Sequence, residues 1–404
     1  MIRVSTANLY LSSAANINAD QTAEMTTTAE LASGKQINSP ADNPVGAAEA
    51  TLLQSGITQL SQYSSNQSQA TNMLDAASST ITQATNVMQS VNSALVEAGN
   101  TGLTDAQRSA IAAQLQGSLN QLVGLANTGD GNGGFLFGGS QNSTPPFVQN
   151  GNTVSYVGDS LAPSVQISQT RTEQVKYPGS SVFMSIPTGN GTFATSAGSG
   201  NTGSGSISSG SVTNPSQLTG DNYTITIGAG GSTYSVEDTT TNTAVVTNAA
   251  LSNPTTLNFA GMQMSISGTP SAGDTFTVAP STNQSIFTTL SNVISALQTS
   301  TSGSSTALGQ ISSAVTTALA GTQQAISSLS TTQASMGAQL QELSNYGSEN
   351  TTDSTQDQTT MSSIVDLNYA QAASALSEQE TQYQAALQSY ASISKLSLFN
   401  YIQG

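Results

Sequence analysis

The sequence predicts an α+β protein whose helical N- and C-terminal parts pack together as an elongated coiled-coil rod bundle bracketing a central β-rich insert. Three observations lead there. Apolar residues repeat at heptad spacing toward both ends, and the period falls to two between about 135 and 284. Charged residues are only 7% of the chain, so its helix faces suit burial against one another.

The first 35 residues are weakly amphipathic, with Leu11, Ile17, Met25 and Leu31 scattered among Thr, Ser, Asn and Gln. Residues 46–98 contain no proline and carry a seam at Ala70, Leu74, Ala77, Ile81, Ala84, Met88, Val91 and Leu95. Steps of four and three alternate, the pattern of an under-wound helix packed on others. Ile57 and Leu60 extend the stripe backwards, with Ser64 and Gln67 as weaker seam positions. Such a helix would be about 80 Å long, with Gly99 and Gly102 as stops. Thr104 is placed to cap a second helix whose face is Ile111, Leu115, Leu119, Leu122 and Ala126.

The C-terminal part mirrors this. Phe287, Leu290, Ile294 and Leu297 mark a short helix. Ile311, Val315, Ala318, Thr322, Ala325, Leu329, Thr332 and Met336 mark a long one, continued by Leu340 and Leu343. A break is expected at Thr351-Thr352-Asp353, with Asp353 helping to start the next helix. The apolar face resumes at Met361, Ile364 and Leu367, then Leu376, Tyr383, Leu387 and Tyr390.

In the middle, alternation predicts strands at Val154/Tyr156, Val165/Ile167, Tyr223–Ile227, Tyr234–Val236, Met262–Ile266 and Phe276–Val278. Gly228–Gly231 reads as a hairpin turn, and the Gly/Ser-rich stretch from Thr192 to Thr213 as a flexible loop or meandering surface segment.

Composition excludes much chemistry. With no His and no Cys there is no imidazole base, thiolate or zinc–thiolate site. Six basic residues against 22 acidic ones, a formal charge of −16, cannot build a nucleic-acid surface. Asp353 and Asp357 are spaced to share a metal, but two carboxylates do not define a site, and Glu378 and Glu380 face different ways on a helix. Lys35, Lys176 and Lys395 sit in no S-x-x-K context. No enzyme, cofactor or small-molecule substrate is expected, nor any membrane insertion.

The termini carry a resemblance. The opening Arg3-Val4-Ser5-Thr6 is followed by Leu31-Ala32-Ser33-Gly34-Lys35-Gln36-Ile37-Asn38-Ser39-Pro40-Ala41-Asp42-Asn43-Pro44. Further marks are Gln62-Tyr63 with Asn66, Gly134-Phe135-Leu136-Phe137-Gly138-Gly139, and the close Leu396-Ser397-Leu398-Phe399-Asn400-Tyr401. Over residues 1–165 and 285–404 the chain resembles the flagellin family, in its hook-associated branch. It departs at Gln36, where a basic residue is usual, and at Asn43, where a second Asp is usual.

The resemblance implies a flagellin-like protein in three parts. Residues 1–40 and 365–404 would be polymer-core helices, disordered in the monomer and ordered by neighbouring subunits. Residues 41–165 and 285–364 would form the helical rod, and 166–284 the β-rich outer domain. The implied role is structural: a junction between flagellar hook and filament, outside the cell, exported without a cleaved signal peptide. Implied partners are a hook-side junction protein (FlgK-like), flagellin, a cytoplasmic export chaperone (FlgN-like) and further copies of the chain in a ring.

In that frame Gly34, Pro40, Asp42 and Pro44 break the inner helix from the outer rod. Leu74, Ile81, Met88, Val91, Leu95, Ile311, Val315, Leu329 and Met336 pack the rod, while Val4, Leu9, Leu387, Leu396, Phe399 and Tyr401 make polymer contacts. A filament flagellin subunit and a secreted adhesin-like surface protein are the rival readings.

Overall fold

The computed structural model describes residues 6–141 and 143–402, with side chains between residues 8 and 392. It falls into two compact units, Met1–Ser65 with Tyr346–Gly404, and Asn66–Asn345. The long helices α2 (Pro44–Ala98) and α6 (Ser305–Val365) supply residues to both.

In the first unit, α1 (Thr6–Ser33) lies along α7 (Tyr369–Ile402), and Tyr10 meets Tyr390 with ring centroids 5.0 Å apart. The pairing buries little. Among the described side chains of these two helices, Thr27 and Ala372 are the buried ones.

The second unit has a dense core. Every residue of the α2 seam from Ala70 to Leu95 is buried, as are Ile311, Val315, Ala318, Ala325, Leu329 and Met336 of α6. Gln333 of α6 donates from Nε2 to Thr82 Oγ1 of α2 at 2.8 Å. Of the weaker seam positions Gln67 is buried as expected, but Ser64 is exposed and Tyr63 is buried in its place, so the stripe turns one residue back there.

α3 (Asp105–Ala126) begins in a full capping box between Thr104 and Gln107 and packs against α5 (Ile286–Leu297). The expected face of α3, Ile111 to Ala126, is buried. Against the two helices lie the hairpin β1 (Phe147–Asn150) and β2 (Thr153–Tyr156) and the short α4 (Gly179–Phe183), while the pair β3 (Ser164–Gln166) and β4 (Thr172–Gln174) is tied to α2 through Asn66 and Gln67 and to α6 through Arg171 and Glu342. Phe147 stands 5.6 Å from Phe183 and 5.2 Å from Phe287, and Phe137 stands 5.1 Å from Phe183, ring centre to ring centre. The Gly-Phe-Leu-Phe-Gly-Gly stretch thus supplies an aromatic plug.

Beside it, Lys176 Nζ donates to Asp130 Oδ2 at 2.8 Å, with both side chains buried. Burial raises the Asp130 pKa, but the Lys176 hydrogen bond and the backbone N–H groups of Asn132 and Gly134 outweigh it. The carboxyl is held below its ordinary 3.8.

The strand-rich part continues with β5 (Ile186–Pro187), β6 (Phe193–Ala197), β7 (Ser206–Ile207), β8 (Ser211–Val212) and β9 (Tyr223–Ile227). Then come β10 (Thr233–Asp238), β11 (Thr243–Ala250), β12 (Thr255–Phe259), β13 (Met262–Ser267), β14 (Thr275–Pro280) and β15 (Asn283–Gln284). An antiparallel sheet runs in the order β11-β10-β9-β14-β6, and a second in the order β12-β13-β7, with β8 also on β13. Ile225, Val236, Phe276 and Val278 of the first sheet share one buried cluster with Leu257, Met264 and Ile266 of the second.

Two expectations need correction. The Thr192–Thr213 stretch is not a flexible loop. It contributes β6, paired along β14, and buries Phe193, Thr195 and Ile207. Asp274 Oδ atoms accept from the N–H groups of Thr202, Gly203 and Ser271 at 2.7–3.0 Å, so the small residues are pinned by a distant carboxylate.

Nor does the helix break at Thr351-Thr352-Asp353; α6 continues to Val365, and Asp353 sits in mid-helix. Thr351, Thr352, Thr355 and Thr359 turn their hydroxyls back to carbonyls four residues earlier. That satisfies the groups that would otherwise compete with the helix.

Removing the Phe287 ring, F287A, is expected to cost about 3–5 kcal/mol in urea unfolding of the full chain. Asp130→Asn strands the Lys176 ammonium in the interior and is expected to cost about 3–5 kcal/mol at neutral pH. Because the folded Asp130 pKa is depressed, its stabilisation is complete above the unfolded value of 3.8 and is lost as pH falls through the lower folded value. Melting curves on acidification should show the wild type converging on D130N.

Candidate assembly hinge

The motif from Gly34 to Pro44 folds as two helix ends joined by a tight turn. α1 stops because Gly34 adopts φ +73° and its N–H returns to Glu30 O at 2.8 Å. At the far side Pro44 is the first residue of α2, where a missing N–H costs nothing. Asn43 caps that helix by accepting the Gly46 N–H at 2.9 Å, a task Asn and Asp perform equally well. Between them Asp42 accepts the N–H groups of Ser39 at 2.7 Å and Asn38 at 3.0 Å. The Ser39 bond is the main cause holding the Asp42 carboxyl below its ordinary pKa. Pro40 lies exposed in the turn those bonds close.

The other half of the site comes from the opposite end of the chain. α6 ends at Val365 and α7 begins at Tyr369, with Asn368 Oδ1 accepting the Gln371 N–H at 3.3 Å. The two links are bonded to each other. Gln36 N donates to Val365 O at 2.8 Å and Leu367 N donates to Gly34 O at 3.0 Å, around an antiparallel bridge of Lys35 with Asp366. The Gln36 side chain donates to Ile364 O at 2.6 Å. Tyr369 lies over Gly34 so closely that a Cβ there would stand 2.7 Å from its hydroxyl oxygen.

Gly34, Pro40, Asp42 and Pro44 therefore lie in one turn, and Gly34 lies in the staple itself. Gln36, Ile364, Leu367 and Tyr369 were not singled out for this site by sequence reasoning, because their partners lie more than 300 residues away: 328 between Gln36 and Ile364. Of the expected polymer contacts, Leu9 and Leu387 are 43% and 41% exposed, alongside Leu11 at 65% and Met25 at 68%. Val4, and the side chains of Leu396, Phe399 and Tyr401, lie outside the described residues. Among the described residues no cluster of three potential metal ligands occurs, and no helix is long and apolar enough to cross a membrane.

Comparison with known proteins matches this geometry to a family. The bacterial flagellin N-terminal helical region matches residues 4–142, and the D2-like domain of flagellar hook-associated protein 1 matches residues 196–280. The crystal structure of FlgL from Xanthomonas campestris is 30% identical with a TM-score of 0.69, covering 76% of this chain and 98% of that one. This chain belongs to the FlgL family.

The flagellar junction protein FlgL from Legionella pneumophila is likewise 30% identical, with a TM-score of 0.68 over 79% of this chain and all of that one, 100%. Flagellar hook-associated protein 3 of Salmonella typhimurium is 29% identical over 185 residues, 46% of this chain. The match spans only 58% of that protein's own length.

Substituting Gly34→Ala forces a Cβ into left-handed backbone, at about 1–2 kcal/mol, and against Tyr369. Amide exchange should accelerate at Gln36 and Leu367, while protection of the α2 seam from Ala70 to Leu95 stays unchanged.

Proposed function

We propose that this chain is a structural subunit of the bacterial flagellum that joins the hook to the flagellin filament, and not an enzyme. The observation that carries the reading is the likeness to FlgL structures over 98–100% of their length. Its partners are a hook-side junction protein of the FlgK kind, flagellin, a cytoplasmic chaperone of the FlgN kind and further copies of itself. It works outside the cell, exported without a cleaved signal peptide.

The mechanism is mechanical. Exposed apolar residues of α1 and α7, such as Leu9, Met25 and Leu387, gain burial when neighbouring subunits cover them, at about 1.5–3 kcal/mol for a fully buried large side chain. These helices are ordered by assembly. The 34–44 link, bonded to its partner at 364–368, is where the α1–α7 layer adjusts during assembly. The buried seams of α2 and α6 stiffen the helical rod segments, 41–165 and 285–364, and the 166–284 segment faces outward.

Deleting the gene should give bare hooks, with flagellin shed into the medium as monomer, by electron microscopy and immunoblotting. Bare hooks with the major filament protein missing from the medium would make the chain the filament subunit. Normal filaments, with motility unchanged in a strain lacking related genes, would favour an adhesin-like surface protein. Complementation with the double variant Gly34→Ala, Pro40→Ala should lower the monomer's melting midpoint by only a few degrees while sharply reducing the number of filaments per cell. Wild-type filament numbers would remove the hinge from the mechanism.

A further inference from the structure

Three asparagines precede a glycine in this chain: Asn132, Asn150 and Asn190. An Asn-Gly step is chemically labile, because the glycine nitrogen attacks the side-chain carboxamide with no Cβ in its way. Whether a given step reacts depends on what holds the two groups, and the fold treats the three unequally.

Asn190 is held fast. Its Oδ1 accepts the N–H groups of Thr192 and Phe193, each at 3.0 Å, and its Nδ2 donates to Ser209 O at 3.3 Å and Gly210 O at 3.2 Å. The Gly191 N–H is itself engaged with Thr188 O at 3.2 Å. Asn150 ends β1, fixed by its pairing with Thr153, whose hydroxyl donates to Asn150 O at 2.8 Å.

Asn132 shares the local sequence Gly-Asn-Gly with Asn190 but not its restraints. It is exposed at the tip of the 130–134 loop, and neither its carboxamide nor the Gly133 N–H makes a hydrogen bond among the described residues. A Cβ at Gly131 or Gly133 would meet nothing within 4 Å, so the tip has room to turn. The base of the loop is tied. Asp130 N donates to Gly134 O at 2.9 Å, and Asp130 Oδ1 accepts Asn132 N at 3.0 Å and Gly134 N at 2.9 Å. Through its other oxygen the same carboxylate holds the buried Lys176 ammonium at 2.8 Å.

We propose that Asn132 is a spontaneous deamidation site, and that its conversion to isoaspartate opens the loop that holds Asp130 against Lys176. Gly133 N gives up its proton and bonds to Asn132 Cγ, ammonia leaves, and a cyclic succinimide forms. Water then opens the ring at either carbonyl, returning a proton to the Gly133 nitrogen and leaving aspartate or isoaspartate. The net change is one water taken up and one ammonia released, with no oxidant or reductant. In isoaspartate the main chain runs through Cβ and Cγ and is one atom longer, between the two N–H groups that Asp130 Oδ1 accepts. A loop closed at both ends cannot take in that atom and keep both bonds, so the carboxylate that balances Lys176 loses its support.

The test is peptide mass spectrometry on the full purified chain during incubation in warm, mildly alkaline buffer, beside the same chain held unfolded in urea. In the folded chain Asn132 is expected to convert about tenfold or more faster than Asn190, which must first lose its hydrogen bonds. In urea the two rates should come together, because only the fold separates them. Asn132→Ser replaces an exposed side chain that bonds to nothing and should fold normally. Its melting midpoint should hold through the incubation, while that of the wild type falls as isoaspartate accumulates, read by isoaspartyl methyltransferase labelling. Equal rates at Asn132 and Asn190 in the folded chain, a rate ratio unchanged by urea, or an equal fall in midpoint for wild type and Asn132→Ser would each overturn the proposal.

Discussion

The apolar seams of α2 and α6 in the 66–345 unit are both buried, and Gln333 of α6 reaches Thr82 of α2 between them. Neither can bury itself. Leu74, Ile81, Met88 and Leu95 are fully buried although their own helix offers them only its polar face, and Leu329 and Met336 are in the same position more than 200 residues later. A helix of Ser, Thr, Gln and Ala has modest stability alone, so packing of the apolar stripe carries it. The strand-rich segment is held between two segments that must meet, and its own buried cluster lets it fold as a separate layer of structure.

Low charge shapes how those helices are solvated. Where an ordinary surface helix carries Glu and Lys pairs, α6 carries Thr and Ser whose hydroxyls bond back to their own carbonyls. Such a surface has few ions to desolvate on burial, and burying an unpaired ion is far more costly than burying a satisfied hydroxyl. The ion pairs that do occur have local duties. Lys176 with Asp130 closes the glycine-rich loop, while Arg171 with Glu342 ties the β3–β4 turn to α6.

The paired links at 34–44 and 364–368 are built on a different principle from the buried helix seams. They are made of backbone hydrogen bonds and caps rather than apolar area: Gly34 stops one helix, Asn43 and Asn368 start two others, and the two links pair across an antiparallel bridge. Each such bond contributes about 0.5–1.5 kcal/mol net, enough to set geometry and weak enough to be rearranged.

Much of the architecture was legible in the sequence because periodicity is a local property. The α2 seam, the α3 cap at Thr104, the Tyr223–Ile227 strand and the Gly34 helix stop all follow from residues within a few positions of one another. Tertiary structure decided whatever depended on distant partners. Thr192–Thr213 reads as loop until Asp274 and β14 are beside it, and Ser64 yields its seam place to Tyr63 only in the packed helix. Gln36 gains its meaning from Ile364. The sequence by itself determined which faces are apolar, where α1 stops at Gly34 and where α3 starts at Thr104, since those depend on side-chain type and backbone freedom. Which faces meet, and what lies between them, required the fold, because contact energy depends on positions in space that no local pattern encodes.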